Sequence, residues 1–248
     1  MYEREREKYQ IFNGDCLEIM KSISDKSIDL ILCDLPYGTT RNKWDSIIPL
    51  DKLWEQYERI IKDNGAILLF AQTPFAQQLG ASNLKLLKYE WIWDKKRVTG
   101  FLNSKKMPMK RHENILVFYK KLPTYNPQLT KGKPYHTHNK APSTNYNSFE
   151  TNYETKNDGW RFPVDIQEFS PETGLHPTQK PVALLEYFIK TYSNELDTVL
   201  DNCMGSGSTG VAALNINRRF IGIEKDEKYF EIAKKRIQKG MIIMEKKK

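Results

Sequence analysis

Asp34-Leu35-Pro36-Tyr37 brings together the residue types that one particular reaction needs. An amino group on an aromatic ring is a poor nucleophile, because its lone pair is delocalised into the ring. Hydrogen-bond acceptors beside its two protons would localise that lone pair as it attacks. Asp34 offers a carboxylate and the Leu35 carbonyl a second acceptor. Pro36 restricts Leu35 to an extended backbone and so helps to aim that carbonyl. Tyr37 offers a ring on which a base drawn out of a stack could lie. The array suits methylation of an exocyclic base amine, where positioning and electrostatics dominate over covalent catalysis.

A second group of residues could hold a nucleotide-like ligand. Asp201-Asn-Cys-Met-Gly205-Ser-Gly207-Ser-Thr-Gly210 lies between a strand pattern and a helix pattern. Glycines there let the backbone approach a ligand and leave helix N–H groups facing it. Glu224 ends the next strand pattern, where a carboxylate can accept both hydroxyls of a ribose. Gly205-x-Gly207-x-x-Gly210 also satisfies the dinucleotide fingerprint, so the loop by itself leaves NAD and an adenosyl cofactor both open.

Alternating elements must carry these loops. Residues 9–12 read as a strand, 16–22 as a helix, and 28–33 as a near-continuous apolar strand covered on both faces. A helix is expected over 50–62, ended by Asn64-Gly65, and a buried strand over 66–70. A helix over 74–87 and strands over 89–93 and 115–119 follow. From about 120 to 175 periodicity fades, and a stretch of that length reads as a functional insertion. A helix after Pro181, a strand over 198–201, a helix after Gly207, a strand over 220–224 and a last amphipathic helix complete the chain. The alternation implies an α/β fold with a doubly wound, mostly parallel sheet.

The charge is localised. Between Lys95 and Lys140 stand 12 Lys/Arg and a single acid, Glu113, a local net of +11 in a chain of +8. Phe101, Tyr119, Tyr125 and Tyr135 interleave the block, a mixture suited to neutralising a polyanion backbone and stacking on bases. No apolar run is long enough to cross a bilayer and no signal peptide opens the chain, so neither a membrane nor export is expected. Cys16, Cys33 and Cys203 show no CxxC spacing, as suits packed thiols in a reduced cytoplasm. His136-x-His138 has no Cys or carboxylate partner beside it in sequence, and no metal is expected.

The order of these motifs resembles the amino-group (N6-adenine / N4-cytosine) DNA methyltransferases of the beta arrangement, in which the catalytic motif precedes the cofactor motif and the target-recognition region lies between. The resemblance rests on Asn13-Gly-Asp-Cys16, Asp34-Leu-Pro-Tyr37, His176-Pro-Thr-Gln-Lys-Pro181, and Asp201 to Gly207 with Glu224 behind. Nothing in helix or turn physics asks for the hexapeptide from His176 to Pro181. The resemblance implies the fold of methyltransferases that use S-adenosylmethionine, divided into a catalytic half over 1–94, a basic recognition insertion over 95–175 that includes one core strand, and a cofactor half over 176–248.

Carried over by position, Asp34, Leu35, Pro36 and Tyr37 form the catalytic loop. Asp15 lies at the cofactor's adenine and Glu224 at its ribose, while Cys16, Asp34, Asp201, Cys203, Gly205, Ser206, Gly207 and Ser208 complete the cofactor site. His176, Thr178 and Lys180 lie towards the methionine end, where an ammonium or imidazole could meet the carboxylate. Lys95, Lys96, Arg97, Lys105, Lys106, Lys110 and Arg111 are the candidate phosphate contacts. The family form most often has proline where Leu35 stands, and Asp-Pro-Phe where this chain has Asp201-Asn-Cys203, so a thiol replaces the ring expected over the cofactor adenine. Aspartate rather than serine at position 34 points to adenine N6 over cytosine N4. DNA is the partner implied, with a homodimer and a separately acting cognate restriction endonuclease as family associations. Cytosine N4, RNA, and a non-catalytic DNA-binding role on the same fold are the rival readings. A protein substrate leaves the basic block unexplained, and an NAD-dependent dehydrogenase also leaves Asp34-Leu-Pro-Tyr37 and the His176–Pro181 hexapeptide unexplained.

Overall fold

The computed structural model describes residues 8–38, 46–139, 153–172 and 179–245. Two compact units are present: Met1–Asn126 with Asp165–Lys248, and Pro127–Val164. Of the segment 95–175, then, residues 95–126 and those from 165 onward lie in the first unit.

The first unit is built on an eight-stranded sheet. Its strands are β1 (Tyr9–Asn13), β2 (Ile28–Asp34), β3 (Ile61–Ala71), β4 (Leu87–Thr99), β5 (Lys110–Phe118), β10 (Ile166–Glu168), β11 (Thr198–Asp201) and β12 (Arg219–Glu224). In space they run β1-β12-β11-β2-β3-β5-β4-β10. Only the β3–β5 and β4–β5 pairings are antiparallel.

The apolar runs explain why helices lie on both faces. Along β2, Ile31 and Cys33 join one core cluster while Leu30 and Leu32 join the other. β3 and β5 divide in the same way, as period-2 side chains must when neither face is wet. Helices α1 (Cys16–Met20), α2 (Leu50–Ile60) and α3 (Phe75–Ser82) supply Met20, Tyr57 and Leu79 to the first cluster. Helices α4 (Val182–Tyr192), α5 (Ser208–Asn215) and α6 (Glu227–Glu245) supply Phe188, Ala212 and Ile237 to the second. α5 closes on β12 because Gly210 has no side chain: a Cβ there would stand 2.6 Å from the Phe220 ring. Among the described residues no helix is long and apolar enough to cross a membrane.

The expected α/β order stands, with shifted boundaries. α2 gives way to β3 at Ile61, so Asn64-Gly65 sits within an irregular strand whose register jumps between Ile28 and Leu30. α3 stops at Ser82, not near 87, because Asn83 leaves helical geometry and its Oδ1 accepts from the Leu86 N–H. β4 runs six residues beyond the apolar pattern that marks it, to Thr99, because β5 lies antiparallel beside it and pairs with it again at Thr99 after an irregularity that follows Asp94.

The second unit holds two small antiparallel pairs. β6 (Thr130–Lys131) pairs with β9 (Trp160–Arg161), and β7 (Tyr135–Asn139) with β8 (Tyr153–Asn157). Glu154 stands opposite His138, and the possible ligand atoms of His136, His138 and Glu154 lie within 4.8 Å of one another. That carboxylate is distant in sequence, so the sequence alone does not pair it with the histidines. His136 Nε2 is in direct contact with Glu154 Oε1.

Candidate active site

Parallel strands end together, and their carboxyl ends face a crevice where the chain changes direction. Asn13, Asp34, Asp201 and Glu224 are the terminal residues of β1, β2, β11 and β12. The last three border a cavity of about 670 Å³ that Gly14, Asp15, Leu35, Pro36, Tyr37, Glu113 and Lys180 also line. The cavity is acidic: Asp15, Asp34, Glu113, Asp201, Glu224 and Asp226 face Lys180 and Lys225.

The glycine loop is held from within. Gly205 donates to Glu224 Oε2 at 2.8 Å, and Asp226 N–H donates to Oε1 at the same distance. Glu224 is thus fixed by two backbone donors, with lone pairs left to face the cavity. Cys203 N–H donates to Asp201 Oδ1 at 3.1 Å. Burial pushes the Asp201 carboxyl up to about 6, against the bonds from Thr209 and Cys203. Gly207, at φ 77°, turns the chain into α5. Arg236 of α6 donates to Ser208 Oγ at 2.8 Å and to the Ser206 carbonyl at 3.2 Å.

Asp15 does two structural tasks at the cavity wall. Its Oδ1 caps α1 by accepting from Leu17 N–H at 3.0 Å, and its Oδ2 accepts from Lys225 at 3.1 Å. Cys16 and Cys203 also line the cavity. Asn13 Nδ2 donates to the Glu224 carbonyl at 2.9 Å and ties this corner to β12.

At the other end of the cavity stands a cluster of alternating charge. Lys180 Nζ donates to Asp34 Oδ2 at 2.5 Å and lies 3.2 Å from Glu113 Oε2. Lys95 pairs with the second oxygen of Glu113. Tyr37 Oη donates to Asp34 Oδ1 at 2.7 Å, and its ring stacks on Phe75 with centroids 5.1 Å apart. Burial pushes the Asp34 carboxyl above its usual range, with Lys180 opposing and Glu113 adding to the rise. For Glu113, burial is outweighed by Lys180 and Lys95, and its carboxyl lies below the usual range. Burial would lower the Lys180 ammonium, but two carboxylates outweigh it and hold it up.

The structure gives several of the expected residues partners. Lys180 sits on Asp34, in the same cavity as the glycine loop. Lys95 turns inward to Glu113, and its side chain is only 14% exposed. Lys96 pairs with Glu168 and Arg111 with Asp94, both at the surface. Arg97, Lys105, Lys106 and Lys110 are exposed. His176 and Thr178 lie outside the described residues. Glu113 is a site residue that the motifs do not mark. Its signal in the sequence is its isolation, as the single acid in a block of 12 cations.

A family model described as DNA methylase, of the N6-N4 group, matches residues 28–235. The chain belongs to the DNA methylase family. This methylase is 26% identical to the type II methyltransferase M2.MboI of Moraxella bovis over 95% of this chain and 89% of that protein. It is 29% identical to the DNA adenine methyltransferase YhdJ of Escherichia coli K12, over 92% and 82% of the two chains. Against M.HpaI of Haemophilus parainfluenzae the identity is 30%, over 90% and 72%. Among solved structures, the M1.HpyAVI–SAM complex superposes with a TM-score of 0.67 at 26% identity, covering 92% of the methylase and 99% of that chain. The cytosine-N4-specific PvuII methyltransferase shares the fold, with a TM-score of 0.70 at 14% identity, covering 94% and 91%.

Proposed function

We propose that this methylase transfers a methyl group from S-adenosylmethionine to N6 of an adenine extruded from DNA. The observation that carries the reading is Asp34: a half-buried carboxylate at the end of β2, oriented by Tyr37 and Lys180, beside a cavity bounded by the glycine loop and Glu224. The donor set fits the cofactor. Glu224, already fixed by two N–H groups, would take the ribose hydroxyls, and the backbone of 205–208 would border the remainder. An acidic wall suits a sulfonium cation.

When bound, S-adenosylmethionine supplies an activated methyl group. The chain's own residues do the rest. Asp34 accepts a hydrogen bond from one N–H of the target amine and the Leu35 carbonyl accepts one from the other, raising electron density on the nitrogen. Lys180 keeps Asp34 ionised until the base arrives, and Glu113 keeps Lys180 in place. Asp34, raised by burial, then takes the proton that the methylated amine sheds. One face of the Tyr37 ring is already stacked on Phe75, so an extruded base would meet its opposite face.

DNA is the substrate class, supported by the family and by the exposed cations between β4 and β5. A homodimer and a cognate restriction endonuclease acting separately accompany the reading, and light scattering and cleavage of unmethylated DNA test them. The central experiment is transfer of labelled methyl to mixed-sequence duplex DNA, followed by nucleoside analysis. N6-methyladenine is the expected product. N4-methylcytosine would overturn the assignment of Asp34, and label in RNA alone would overturn DNA.

A further inference from the structure

β4 and β5 do not stop at the edge of the sheet. Asp34 is opposite Phe70 on β3, and Phe70 is opposite Ile115 on β5. From that rung β5 runs outward, in reverse, to Lys110, while β4 runs outward to Thr99. Five residues of strand span roughly 17 Å. The turn that joins the two strands therefore projects from the edge that carries Asp34, Asp201 and Glu224.

The tip of this ribbon is unusual in composition. Gly100, at φ 88°, starts a 3-10 turn over Phe101–Asn103. Phe101 is 77% exposed and Leu102 97%, the latter the highest value for a large apolar side chain among the described residues. Val98, Met107 and Met109 are exposed beside them. Lys105 and Lys106 stand on the same turn, Lys110 opens β5 beside it, and all three are exposed. Solvation explains exposed lysines, but not an exposed Phe-Leu pair in the turn at the end of the ribbon. Apolar side chains of this kind, flanked by phosphate-binding cations, are what enters a base step and unstacks it.

We infer that the β4–β5 tip is a wedge for double-stranded DNA: Phe101 and Leu102 enter the stack beside the target adenine, and Lys105, Lys106 and Lys110 hold the flanking phosphates. The inference rests on the methyltransferase reading and adds to it a device for extrusion. Taking a base out of a duplex costs unstacking and unpairing, a cost that is least when the base is already unpaired. An apolar pair inserted into the step offsets that cost by covering the faces the base has left. A two-stranded ribbon is also narrow enough to enter a DNA groove. The two residues are positioning residues, since they act on the duplex and not on the reacting atoms.

The test uses the full chain and a duplex containing the methylated site found by mapping. A second duplex replaces the partner of the target adenine with an abasic residue, so that the pair is already open. The double variant Phe101→Ala/Leu102→Ala should methylate the paired duplex at least about tenfold more slowly, while its rate on the opened duplex stays within about twofold of the unaltered chain. Phe101→Tyr/Leu102→Met should restore the rate on paired DNA. Both side chains are exposed, so the melting temperature should not move. Equal loss on both duplexes, or no loss on either, overturns the wedge. So does conversion of a dimer to a monomer by the double variant, which would make this surface a contact between copies. If the unaltered chain methylates no DNA at all, the methyltransferase reading fails first, and visibly so.

Discussion

Replacing Lys180 with methionine would leave a buried carboxylate, Glu113, and a half-buried one, Asp34, facing each other without the cation that joins them. Asp34 and Glu113 contact the same ammonium at 2.5 and 3.2 Å, so their nearest oxygens lie within about 5.7 Å. At an effective dielectric of about 20, two like charges at that separation repel by about 3 kcal/mol. Lys95 still pairs with Glu113 and reduces the effect, so the expected destabilisation of Lys180→Met at pH 8 is about 2–3 kcal/mol. The sign with pH follows from the proton that relieves the repulsion. In the variant, one carboxyl of the pair titrates higher folded than unfolded, so the folded state binds the extra proton and stability is lost as pH rises. Urea unfolding of the cofactor-free protein at pH 5 and pH 8 measures this. The deficit should shrink at pH 5, and the variant should also lose methyl transfer. A deficit that is flat with pH, or absent at pH 8, would refute the charge-cluster reasoning.

Three further outcomes are expected. Asp34→Asn should lower turnover by about 10²-fold or more while S-adenosylmethionine binding, measured by calorimetry, stays within about tenfold, because the missing charge serves the amine. Asp201 titrates near 6 folded against 3.8 as its ordinary value, which disfavours the folded state by about 3 kcal/mol above pH 6. Stability from this group is present below the ordinary value and lost as pH rises through 6, so Asp201→Asn should flatten the melting temperature between pH 4.5 and 7.5; an unchanged slope removes Asp201 as the cause. Neutralising Lys105, Lys106 and Lys110 to glutamine should reduce the salt slope of DNA binding by about 0.9 for each phosphate that no longer meets a cation, and an unaltered slope would take the tip away from DNA.

Much of this fold was legible because both faces of the sheet are covered. β2, β3, β11 and β12 are short apolar runs bounded by turn residues, and the helices between them have one-sided patterns. What escaped was side-chain pairing across long distances. Lys180 could be assigned to the site from its hexapeptide, yet not to Asp34, which lies 146 residues earlier. Glu113 and Lys95 face each other only because β4 and β5 run antiparallel with Trp93 opposite Glu113 and Asp94 opposite His112, and Lys95 follows where that register breaks. The polar end of β4 has no alternation of its own and is a strand because its neighbour is one. The Phe101-Leu102 pair could be seen as aromatic content in a basic block, but its exposure depends on how far the ribbon overshoots the sheet.

The acidity of the cavity has a consequence for how a catalytic cycle ends. Six carboxylates face two lysines along its wall. A sulfonium cofactor enters with a positive charge at sulfur and leaves as a neutral thioether once the methyl group has gone. The same wall therefore attracts the charged form more than the spent one, and the reaction itself removes part of what holds the cofactor in place. On the proposed reading, in which the tip lysines hold the flanking phosphates, exchange of the small molecule alone would then complete a turnover with the protein still seated on its DNA.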